Sequence, residues 1–98
     1  MTILDELKKS LMYAVDASNT TDSVKTVLRN SINYVIDDPH MQLRSYFERP
    51  KLVELIEVQV KSYLDHRQIF GDFDKGVLSI CKIIVGVWAR ENDTPSVA

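Results

Sequence analysis

Cysteine is almost missing from this chain: Cys81 is the single one in 98 residues. One thiol closes no intramolecular disulfide and builds no cysteine-based metal site, which excludes a disulfide-framed secreted domain. Neither sign of charge dominates, because 12 basic and 14 acidic residues leave a net charge of −2. The basic stripe that neutralises nucleic-acid phosphates is therefore lacking. Long apolar runs are lacking too. The richest stretch, residues 77–89, is interrupted by Ser79, Lys82 and Gly86 and falls short of the roughly 20 residues that span a bilayer. The opening Met1-Thr2-Ile3-Leu4-Asp5-Glu6 places two acids where an export signal needs a basic segment followed by an apolar run. The expected location is the cytoplasm, without membrane insertion.

What is present is ordinary for a globular protein: 45% hydrophobic and 27% charged residues in 11.2 kDa. A chain of this size buries about 65% of its unfolded surface, enough for one modest core. Ile3, Leu4, Leu7, Leu11, Ala14 and Val15 form one stripe of a helix over 3–17, with Thr2 and Asp5 as a capping box. Val24, Val27, Leu28, Ser31, Ile32 and Val35 resume the period over 22–36, behind a cap at Thr21 or Asp22. Asp38-Pro39 opens a short helix over 39–48, with Leu43, Tyr46 and Phe47 as its apolar edge.

A fourth helix follows over 50–66. Leu52, Val53, Ile56, Val60, Tyr63 and Leu64 lie on one face and Glu54, Glu57, Lys61 and Asp65 opposite, with Phe70-Gly71 as the exit. Residues 74–91 read as the fifth, although Ile80, Ile83, Ile84, Val85 and Val87 are β-branched and also suit a buried strand. Helix is favoured, since no second strand exists for it to pair with. The expected fold is all-α: four main helices in a bundle plus the short connector. Residues 1–92 form the single domain and 93–98 a flexible tail.

Catalytic templates fail in turn. There is no phosphate-cradling glycine loop, no G-x-S-x-G, no H-E-x-x-H and no CxxC. Neither His40 nor His66 has glutamate three residues before it, which removes a bundle di-iron site. Asp72-Phe73-Asp74-Lys75-Gly76 starts like a calcium loop, but Val77 stands where the loop requires glycine. No catalytic, cofactor or metal residues are assigned. An enzyme built on His40, His66 and the acids of the fourth helix would require a histidine meeting a carboxylate in a pocket.

The fifth helix is the most informative element, because its polar stripe is limited to Lys75, Ser79, Lys82, Gly86 and Arg90. With Val77, Ile80, Cys81, Ile84 and Trp88 facing the core, Ile83 and Val87 are left on a flank that needs a cover. Either the helix is central or that flank is a contact surface. Gln59 and His66 fall together at the edge of the fourth helix's apolar face, as a satisfied boundary pair or an interface inlay.

The expectation is a small non-enzymatic protein that works by binding another protein or a second copy of itself. Regulators, antitoxins and toxin-immunity proteins share this size and architecture. Its candidate contact residues are Ile83, Val87 and Trp88, with Tyr46, Phe47 and Arg49 as a second patch. The alternative is a nucleic-acid-binding regulator using Arg44, Arg49 and Lys51.

Overall fold

The computed structural model describes residues 2–93. Their helices are α1 (Ile3–Ala17), α2 (Asp22–Ile36), α3 (Pro39–Gln42), α4 (Arg49–Ile69) and α5 (Lys75–Asp93), with no strand among the described residues. The expected all-α bundle is therefore the fold. Residues 77–89 lie within a helix, and α5 runs through Asp93, so only residues 94–98 of the expected tail lie outside the described residues.

Local signals set most helix ends. Thr2 accepts from the Asp5 amide at 3.2 Å while the Asp5 carboxylate accepts from the Thr2 amide at 3.2 Å, a reciprocal capping box. Those bonds hold the Asp5 carboxyl below its ordinary range. Thr21 caps α2 through the Val24 amide. Asp74 accepts from the Gly76 and Val77 amides at 2.8 and 3.2 Å to start α5. At the exit of α4, Gly71 takes φ 73°, a left-handed conformation that side chains resist. Its amide donates to the Gln68 carbonyl and that of Asp72 to the Arg67 carbonyl, the two bonds of a Schellman stop. The Arg67 guanidinium then pairs with Asp72 at 2.9 Å, near the Tyr63 and Phe73 rings.

The short connector departs from expectation. α3 closes at Gln42, and residues 43–46 continue as turns held by amide-to-carbonyl bonds such as Arg44 to Met41 and Ser45 to Gln42. The Gln42 side-chain amide donates to the Ile36 carbonyl at 2.7 Å, tying the connector to the end of α2. Only Met41 of the connector is fully buried, so Leu43 and Tyr46 are no core edge and stand in solvent.

One core joins α1, α2, α4 and α5, built from Leu4, Leu7, Leu11, Leu28, Ile32, Leu52, Ile56, Leu64 and their neighbours. The radius of gyration, 13.1 Å, matches the ~13 Å of a compact domain of this length. α5 packs most extensively on α4, and this contact turns its buried face. Leu78, Cys81, Val85, Trp88 and Ala89 are buried, whereas Val77 and Ile84 are half-buried and Ile80 is exposed.

Gly86 on this side of α5 is buried beside the Glu57–Lys61 ion pair of α4. The polar stripe of α5 thus faces α4 in part, and Lys82 adds an ion pair with Asp65. A methyl group at Gly86 would lie 3.6 Å from Lys61 Nζ and 3.7 Å from Glu57 Oε2, which are ordinary contact distances. Gly86→Ala is therefore expected to stabilise the fold by about 1 kcal/mol, through helix propensity and a less flexible unfolded chain. Thermal unfolding checks this, and a lowered midpoint would mean that α4 tolerates no added carbon there.

Candidate functional site

Two surfaces combine a groove with exposed apolar or titratable side chains, whereas Leu43, Tyr46, Val58, Ile69 and Phe70 are also exposed and line neither. The first lies along α1 and α5. From the buried face of α5 the helix turns outward through Ile84 to Ile80, Ile83 and Val87, which are 45%, 62% and 40% exposed. These positions follow the i, i+3, i+7 spacing of a single helical row. Tyr13, 77% exposed, extends the row onto α1.

A groove of about 420 Å³ runs between the two helices, lined by Tyr13, Ala14 and Ala17 on one side and Ile83, Val87 and Trp88 on the other. Trp88 forms its floor but is only 2% exposed, so it belongs to the core and not to the contact surface assigned to it from sequence. Its indole Nε1 donates to Ser10 Oγ at 3.4 Å. An adjoining groove past Ser18 and Thr20 shares Ile84 and reaches Ile80, which makes the apolar face continuous. Tyr13 and Ala17 were not foreseen, because they lie off the apolar stripe of α1 and matter only beside the outward row of α5.

The second surface is a cleft of about 420 Å³ between the end of α2, α3 and α4. Gln59 and His66 line it together with Leu55, as their spacing implied, but both polar side chains are exposed. Tyr34 and Tyr63 stack across one wall with ring centroids 4.6 Å apart. His40 lines the same cleft, yet neither imidazole forms an ion pair with a carboxylate among the described residues. His66 instead meets the edge of Phe70 at 4.8 Å. No group of three or more histidine, cysteine or acidic residues that could hold a metal occurs among the described residues. No helix there is long and apolar enough to cross a membrane.

Tyr46, Phe47 and Arg49 form neither surface. Tyr46 is 79% exposed and stands edge-on to Phe47 at 4.7 Å, while Phe47 turns partly into the core. Arg49 lies 3.8 Å from Glu6 near the start of α1, whereas the apolar groove borders Ser10 to Ser18 near its end. The two contact patches read from sequence are thus separate. Arg44 donates to the His40 carbonyl at 2.8 Å and lines the cleft, while Arg49 faces Glu6 and Lys51 is exposed on α4. No family model, curated protein or solved structure matches the chain.

Proposed function

We propose that this protein is a small non-catalytic regulator that acts by protein–protein binding through the α1/α5 face. What supports the reading is one observation: α5 keeps Ile80, Ile83 and Val87 outward although its opposite face already fills the core. Uncovered apolar rows of this kind mark interaction surfaces, and the i, i+3, i+7 spacing is how a helix presents anchors to a partner. The mechanism is occlusion: whatever part of the partner seats on the row is withheld from its other contacts.

A photoreactive side chain introduced at position 83 tests this in extracts of the source cells. A cross-linked adduct is expected that disappears when Val87→Glu is added and persists with Val58→Glu, a change at a comparably exposed apolar side chain of α4. No adduct, or one indifferent to Val87→Glu, overturns the assignment of the face.

A further inference from the structure

We infer that the occupant of the α1/α5 face is a second copy of this chain, seated about a two-fold axis with the two α5 helices antiparallel. The inference rests on the reading of that face as the contact surface and adds the identity of what covers it. Its first ground is that the row matches itself when reversed. Turning α5 end for end about the point between Ile83 and Ile84 exchanges those two residues and exchanges Ile80 with Val87. Apolar side chains therefore meet apolar side chains at each step, as an isologous contact requires.

The second ground is area. The exposed fractions of Tyr13, Ile80, Ile83 and Val87 correspond to roughly 400 Å² of surface, most of it apolar. A standard interface covers about 800 Å² per partner, a little over half of it apolar. One face supplies most of the apolar share of such a dimer, and the polar flanks of α1 and α5 supply a rim.

The experiment is sedimentation velocity on the full chain across roughly 1 to 100 μM, with the same series for Ile83→Glu. Wild type is expected to sediment at twice the chain mass at the upper end. Ile83→Glu is expected to weaken association by at least ~30-fold while its far-UV circular dichroism stays unchanged and its melting temperature equals that of wild type diluted to the monomer, since association itself raises the melting temperature. Direction is read separately in a Cys81→Ala background. Copies carrying Ile80→Cys and copies carrying Val87→Cys should form a mixed disulfide when combined, and neither should do so alone.

A monomer throughout, or a dimer indifferent to Ile83→Glu, overturns the self-pairing. Like-with-like disulfides overturn the antiparallel arrangement. A monomeric protein that still yields the Val87-dependent adduct at position 83 would retain the face but assign it to a different protein, so failure of this inference and failure of the functional reading give different results.

Discussion

Trp88→Ala is expected to cost about 3–5 kcal/mol, the range for emptying an aromatic site in a core. Trp88 is the one aromatic side chain among the fully buried residues described, and it lies where α5 meets α1. Its loss removes contacts from both helices at once and leaves the Ser10 hydroxyl without the indole donor. Small domains are stable by only ~5–15 kcal/mol, so a large part of the total disappears. The melting temperature should fall by on the order of 20 °C.

Trp88→Phe separates the two contributions, because it fills most of the volume without the N–H and should recover more than half of the loss. The contrast with the outer row is the informative part. Ile83→Glu, on the outward side of α5, should leave the stability of the monomer within about 0.5 kcal/mol of wild type. If Trp88→Ala melted like wild type, the seam between α1 and α5 would not depend on the indole. If Ile83→Glu unfolded the protein, Ile83 would be a core residue and the apolar face would not be a surface.

Much of the fold is legible in the sequence because the signals that set it are local. The bounds of α1 and α2 follow from Thr2, Thr21 and an uninterrupted 3.6-residue period, and Gly71 marks the end of α4 through a backbone conformation that glycine adopts readily. The connector is less legible. Leu43, Tyr46 and Phe47 have helical spacing, but only the tertiary position of α4 determines that Phe47 turns inward while Leu43 and Tyr46 remain outside. The same limit applies to α5. Its composition shows that apolar residues exceed one buried face, yet which of them are covered depends on how α4 seats against α5, a pairwise property that periodicity does not contain. Hence Leu78 and Val85 are core and Ile80 is not. Tyr13 is the clearest omission: it reads as an isolated surface tyrosine until α5 is placed beside it.

Cys81 is expected to resist alkylation in the folded protein and to react freely once the chain is unfolded. The thiol is fully buried, with Sγ 3.8 Å from the Val24 carbonyl oxygen, and desolvation pushes its pKa from 9.0 up to about 11. At pH 8 such a shift lowers the reactive thiolate fraction roughly 100-fold before steric exclusion is counted. Labelling with a maleimide should therefore follow global unfolding, and a native protein labelled at the rate of a free thiol would contradict the placement of Cys81.

The same shift carries a sign in the stability. Because the folded value lies above the unfolded one, the unfolded chain loses this proton first as pH rises. Below about pH 9 both states keep it and nothing changes. Between about 9 and 11 the folded state is progressively disfavoured, by about 1 kcal/mol at pH 10. Tyrosines and lysines also titrate in that window, so the decisive quantity is the difference between wild type and Cys81→Ala in denaturant unfolding at pH 8 and at pH 10. The variant starts lower because it leaves a small cavity, and the gap should narrow as pH rises. A gap that stays constant would mean that the thiol ionises equally well in both states and is not held away from water.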